Sequence, residues 1–437
     1  MSENNGARGW HRRLPLLTWR RADQALAAIV VAGLLFRGWW IGMSHAIPVS
    51  DAGHYRDLAL SLAHGDGYQF HGVPTAWWVP GWPFFLSLLY RVFGEDDTVI
   101  HASNLGLALL TLGLTLIVAD RIFNRSTAAL ATGIAALFPS LILLPEYFLS
   151  ENLAVPGLLL ITLLAISVTG RLHPLAAGFL VGMGSGVLVY IREANFTFLP
   201  AVLLYWALQR QGRRQLALHS AGLALGVFVV LVPWVIRNSQ VLGVATMSTS
   251  AGVNLWISFH PQATGGYVPV PLDAWEPGTA QNREAWYHTY GSYSAIHYVW
   301  EHPQRVIELA PRKLAAFLFD EWWPWWLDQD ATGQPTLGYN TVGFRAMLML
   351  LSGYYLVVLA LAAAFPVFWQ RRARIAAERR APEVLFLLGI VLFPALLHAF
   401  IFGNGRFHAP LVPIFSMLAA YVVTEVVPAR ARSCALR

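Results

Sequence analysis

The 437-residue chain is 56% hydrophobic and 12% charged, with a mean hydropathy of +0.50, against roughly 25% charged residues in soluble proteins. So little charge excludes a soluble surface, and a single cysteine, Cys434, excludes a disulfide-stapled secreted domain. The apolar stretches are continuous rather than alternating, which argues against a β-barrel and for an all-α polytopic membrane protein.

A helix rises about 1.5 Å per residue, so about 20 apolar residues cross a hydrocarbon core about 30 Å thick. About ten such runs follow one another, near 24–43, 98–119, 127–145, 150–169, 175–191, 196–208, 216–236, 342–369, 382–402 and 407–427. The fifth is Gly-rich, with Gly182, Gly184 and Gly186 read as a helix-packing face, and the sixth is short. The first is too long, with too much membrane sequence behind it, to be a cleaved signal peptide. Between the first and second runs, residues 44–97 form a long segment with amphipathic helices predicted at 51–64 and 81–93. Between the seventh and eighth, residues 237–340 form a longer one, with helices predicted at about 281–300 and 304–320. It ends in Trp322, Trp323, Trp325 and Trp326, and indoles favour the headgroup layer.

Ten spans place both termini on one side. The terminal segments and the short loops on that side, with the span ends that adjoin them, hold 19 of the 30 basic residues and 6 of the 24 acidic ones, whereas the opposite set holds 10 and 18. The positive-inside rule therefore places both termini in the cytoplasm and the two long segments outside. The basic runs read as anchors near anionic lipid, not as nucleic-acid patches, so no nucleic-acid partner is expected.

With this sidedness the charges flanking the spans form one external rim: Asp51 after the first span, Glu146 and Glu151 between the third and fourth, Arg192 and Glu193 before the sixth, Arg237 after the seventh and Arg406 before the tenth. Charge at the bilayer is costly and marks a substrate path or a paired network. A carboxylate suits a general base, arginines clamp phosphate bidentately, and a greasy groove holds a polyprenyl tail. Together these parts describe transfer of a sugar from a lipid-phosphate donor. A lipid or sugar transporter or flippase is the alternative from another class, but it places polar residues near the midplane and shows repeats. A ligase or polymerase moving a whole glycan is a second alternative, and it calls for more external arginines than this chain has. Asp51 by itself also reads as the N-cap of the helix that follows.

Six stretches, in order, resemble the GT-C glycosyltransferases. They are Ser50-Asp51-Ala52-Gly53-His54-Tyr55 with Gly65-Asp66-Gly67-Tyr68; Pro80-Gly81-Trp82-Pro83 with Val92-Phe93-Gly94; Leu137-Phe138-Pro139 with Leu149-Ser150-Glu151; Pro233-Trp234-Val235-Ile236-Arg237-Asn238; Ser248 through Asn254 to Trp256; and Arg406-Phe407-His408-Ala409-Pro410-Leu411-Val412-Pro413. The similarity is to the bacterial relatives of protein O-mannosyltransferases and of the aminoarabinose lipid A transferase, and it covers almost the whole chain as a single GT-C-like domain. It implies a bacterial inner-membrane enzyme with its active site facing the exterior. It also implies a polyprenyl-phosphate sugar donor, inversion at the anomeric carbon and a cell-envelope acceptor; the external histidines show no tight ligand spacing, so no metal or other cofactor is expected. Asp51 matches the family's catalytic base. Donor phosphate falls to Arg237 and Arg406, with Arg192 behind them, and sugar or acceptor contacts to Tyr55, Glu151, Asn254 and His408. Two departures stand out: Ala52 replaces an acidic neighbour of the base, and Ala76-Trp77-Trp78-Val79 lacks the basic residue that some relatives carry there.

Overall fold

The computed structural model describes residues 21–44, 47–209, 211–270, 272, 282–319, 342–373 and 381–434. The first apolar run forms α1 (Arg21–Met43), and the first long segment then folds as two short helices, α2 (Asp51–His64) and α3 (Gly81–Phe93). Their bounds coincide with the amphipathic stretches read from the sequence. Between them Gln69–Phe70 pairs antiparallel with Val73–Pro74. This hairpin was not foreseen, yet His71 and Gly72, with φ of 49° and 78°, are the left-handed central pair that a tight hairpin turn demands.

Next come α4 (Asp97–Ile122) and α5 (Arg125–Ala136), each started by a side-chain cap, from Asp96 and Asn124. The expected straight span over 127–145 is broken: α5 and the stretch from α6 (Pro139–Leu143) to Glu146 meet at 61°. Pro139 has no N–H to continue the ladder and holds Phe138 extended. The carbonyl freed at Ala136 is recovered by Arg37 of α1, which donates to it at 2.8 Å and to Gly33 at 2.8 Å. A buried cation inside the first span is thereby explained as the cap of a broken neighbour.

The chain continues through α7 (Glu151–Val168), α8 (Pro174–Ile191), α9 (Phe198–Leu208) and α10 (Arg213–Leu242). Helices α8 and α10 pack backbone to backbone, because a Cβ at Gly178 or Gly182 would lie 2.2 or 2.3 Å from a carbonyl oxygen of α10. Gly182 is thus part of the seam, but Gly184 faces Ile161 of α7 instead. The second long segment carries α11 (Ser250–Ser258), α12 (Arg283–Glu301) and α13 (Gln304–Phe319), the last two where amphipathic helices were expected. The indole cluster at Trp322–Trp326 lies outside the described residues. Helices α14 (Val342–Ala373), α15 (Ala381–Phe400) and α16 (Val412–Cys434) close the chain.

Among the described residues, eight helices are long and apolar enough to cross a membrane, and nine when the bent pair counts as one span. The expected sixth span is the shortfall: α9 has 11 residues, about half of what a crossing needs. The protein is a multi-pass membrane protein. Helix α16 runs through its middle, packed on α4, α5 and α14, while α1 lies on the periphery.

Candidate active site

The four charged residues that form the centre come from four parts of the chain and meet at one end of the helices. Asp51 is the first residue of α2. Its carboxylate does not cap that helix; Ser50 occupies the cap position with φ 52°, a strained conformation for a residue with a side chain. Asp51 Oδ2 accepts from Arg406 Nη1 at 2.8 Å, and Oδ1 accepts from Trp78 Nε1 at 3.1 Å. Arg406 lies in the turn Gly405–Leu411, where Asn404 Oδ1 accepts from its backbone N–H at 2.9 Å. Its Nε donates to Glu151, and Arg192 pairs with the same Glu151 oxygen. Glu151 is wholly buried at the start of α7, where the helix dipole also favours a carboxylate.

The chain Asp51–Arg406–Glu151–Arg192 therefore contains two acids and two bases and is neutral as a whole. That neutrality is what makes it tolerable so close to apolar surroundings. Only the Asp51 end is open, with 33% of its side chain exposed. Burial raises the pKa of this carboxyl, but Arg406, with help from Trp78 and His54, outweighs it and holds the group below the ordinary aspartate value. Trp78 is itself fixed by stacking on His54, with ring centroids 4.4 Å apart. Tyr55, one turn along α2, is buried beside Asp51, and burial together with the Asp51 charge pushes its hydroxyl up.

Arg192 opens onto a second feature. A small pocket of about 30 Å³ lies between α7, α9, α15 and the Gly405–Leu411 turn, lined by Leu158, Phe198, Ile390, Pro394 and Phe407 with Arg192, Asn195 and His398 among them. The guanidinium sits 5.4 Å from the Phe407 ring centroid. A cationic group beside apolar side chains is chemically suited to the head of an anionic lipid.

Three expected site residues are not brought into this chain. Arg237 donates instead to the carbonyls of Thr75 at 2.6 Å and Tyr68 at 3.0 Å and to Asn238 Oδ1 at 3.0 Å. His408 is wholly buried, stacked on Tyr355 at 5.1 Å and bonded to the Phe317 carbonyl, so it packs the core behind Arg406. Asn254 is half-buried on α11, where its carbonyl accepts from Ser258 Oγ at 2.7 Å. Glu151 does join the centre, but its full burial between two arginines makes it their anchor, not a surface for sugar.

Two residues were missed. Trp78 was noted only as a departure from the family pattern, although an indole N–H two residues before the α3 turn was a legible donor. Tyr267 of the second long segment is 58% exposed and close enough to Asp51 for that charge to add to burial in raising its hydroxyl; nothing in its sequence neighbourhood marks it.

Fold and site together define a polytopic helical membrane protein with an acid–arginine centre at one end, set against an apolar pocket. No protein-family model matches the chain, and no curated protein does. Among solved structures, the oligosaccharyltransferase of Archaeoglobus fulgidus in its apo form aligns with a TM-score of 0.52 at 14% identity, over 94% of this chain and 52% of its own. The same archaeal protein, AglB, in complex with an inhibitory peptide and a dolichol-phosphate gives 0.50 at 12% identity, over 94% and 52%. ArnT from Cupriavidus metallidurans bound to undecaprenyl phosphate aligns with 0.45 at 14% identity, over 89% and 78%. The architecture is GT-C-like, and the chain spans about half the length of the archaeal oligosaccharyltransferase.

Proposed function

We propose that this protein is a membrane glycosyltransferase that moves a sugar from a polyprenyl-phosphate donor to an acceptor at the extra-cytoplasmic face of a bacterial inner membrane, with inversion. The observation that carries this reading is the ion-paired chain from Asp51 through Arg406 to Arg192, with its open acid at one end and an apolar pocket at the other. The shared fold with a protein solved with dolichol-phosphate supports the lipid-linked donor.

In this reading the tail enters the pocket at Leu158, Phe198 and Phe407, and the phosphate meets Arg192 and Arg406. As the phosphate takes up Arg406, the guanidinium leaves Asp51. The carboxylate loses the charge that depresses its pKa and becomes a stronger base. It then takes the proton from an acceptor hydroxyl or amine while that atom attacks the anomeric carbon from the face opposite the phosphate. The bond between that carbon and the phosphate oxygen breaks, and the oxygen departs with the electron pair against the guanidinium. Tyr55 borders the sugar, and Trp78 holds the base in line. The acceptor is a cell-envelope molecule: lipid A, another glycolipid, a polysaccharide or a protein.

The test is Asp51→Asn in purified, lipid-reconstituted protein with labelled polyprenyl-phosphate sugar. Transfer should vanish while the donor still binds; an asparagine variant that turns over at the wild-type rate ends the assignment of Asp51 as base.

A further inference from the structure

Arg406 can span Asp51 and Glu151 only if the stretch that leads to it from α15 is held in one place. That stretch is held by His398 of α15, which meets the Phe402 carbonyl at 3.1 Å, and above all by the second long segment. Phe400 ends α15, so its carbonyl has no helical partner; Lys313, in the middle of α13, donates its amine to it. The Phe402 N–H donates to Ser258 Oγ at 2.9 Å, and the Gly403 N–H donates to the Gly265 carbonyl at 2.9 Å. Side chains are excluded at this junction. A Cβ on Gly403 would lie 2.0 Å from the Lys313 carbonyl oxygen, and one on Gly265, whose φ is +105°, would lie 2.7 Å from Arg312 Cβ.

Lys313 is the only lysine in the chain and is wholly buried. Its amine lies 3.5 Å from the Phe259 ring centroid, with the Phe400 carbonyl as its hydrogen-bond partner. Burial, with a smaller contribution from Arg305, brings its pKa down to about 7. Burying an amine is costly, and the catalytic reading gives Lys313 no contact with substrate. What it does touch is the last carbonyl of α15, from which the chain leads on to the Arg406 turn.

We propose that Lys313 is a positioning residue: by tying the end of α15 to α13 it sets the turn from which Arg406 reaches both Asp51 and Glu151. Lys313 thereby bears on the charge state of the base from a distance, through the placement of Arg406. The inference rests on the function proposed above only in making the Asp51–Arg406 pair the working centre. The pairing itself is measurable without any reaction.

The experiment follows the titration of Asp51, by carbodiimide labelling read by mass spectrometry across pH, in full-length protein in lipid nanodiscs. Arg406→Ala should give the largest upward movement of the Asp51 pKa, since the depressing charge is gone. Lys313→Met should move it in the same direction by a smaller amount and lower kcat for transfer roughly tenfold, with donor KM changing less, as misplacement of a catalytic group does. Lys313→Arg, which keeps a cationic donor, should recover part of both. Should Lys313→Met fail to fold, Ser258→Ala loosens the same turn more gently and is read in the same way. Wild-type titration and wild-type kcat in Lys313→Met, or in Ser258→Ala when it stands in, overturn the positioning role even if Asp51→Asn is inactive. Conversely, a moved Asp51 titration in Lys313→Met beside a fully active Asp51→Asn leaves the positioning intact and removes the proposed chemistry.

Discussion

Two arginine centres lie at the same end of this protein, and they use the same guanidinium in opposite ways. Arg406 faces carboxylates, Asp51 at 2.8 Å and Glu151 beyond it. Arg237 faces neutral oxygens on Tyr68, Thr75 and Asn238 and lies over the Trp234 ring at 4.9 Å. Around Arg237 the acids, too, are held by neutral donors. Glu284 accepts from Ala76 N at 2.7 Å and from Thr249, and Glu193 accepts from Ser248 at 2.8 Å. An arginine on carboxylates can exchange one anion for another, so an incoming phosphate replaces Asp51 without leaving the cation bare. An arginine on carbonyls has no anion to give up, and removing it frees backbone groups. The first arrangement suits turnover; the second is a clasp joining the two long segments.

The sharpest way to break this contrast is at Asp51 and Arg406. Asp51→Asn should reduce transfer by about 10³-fold or more, in the range expected for loss of a general base. Arg406→Ala should do comparable harm and also move the acid limb of the rate profile to higher pH. In the donor-free wild type the pKa of Asp51 is lowered, so the acid limb of kcat/KM, which reports the free enzyme, lies below the ordinary aspartate value. Without Arg406, burial dominates and protonation sets in earlier. An acid limb that stays in place would show that Asp51 does not titrate in the rate-limiting step.

Arg192→Ala should come next. It leaves Glu151, wholly buried, with one arginine instead of two. With Arg406 still on Glu151, the loss should stay below the about 3–5 kcal/mol of breaking a buried pair outright, read as a lower melting temperature, and donor affinity should fall with it. A variant that loses neither would remove Arg192 from the centre. Arg237→Ala is expected to be milder, about 1.5–3 kcal/mol for hydrogen bonds from a charged group, again seen as lost stability, with donor affinity unchanged. A clear fall in affinity at unchanged stability would return Arg237 to the phosphate site.

The last effect expected is a pH trend in stability. Lys313 keeps its proton to about pH 10 when unfolded but releases it near 7 when folded. The unfolded state therefore binds more protons between those values, and stability should rise as pH increases through that window. Lys313→Met should flatten the rise in thermal melts; an unaltered slope would mean that the amine is not buried as described.

Much of the architecture was legible because its causes are local. Amphipathic spacing placed α2, α3, α12 and α13, and apolar length placed most spans. Where a local feature acted against length, a run departed from a straight crossing: Pro139 bends the third, and the sixth, already short in sequence, forms the 11-residue α9. The site was legible in part. Asp51, Arg192, Glu151 and Arg406 were all singled out as charges at span ends, yet so were Arg237 and Glu193, and nothing in sequence separates the two groups.

Composition and periodicity determined that this chain lives in a membrane as a bundle of helices with two long connecting segments, because hydration and backbone hydrogen bonding act on each stretch by itself. Which charges meet was decided only by the folded chain. Arg406 and Asp51 lie 355 residues apart, and a guanidinium becomes a partner for phosphate or a clasp for carbonyls according to the oxygens that packing sets before it.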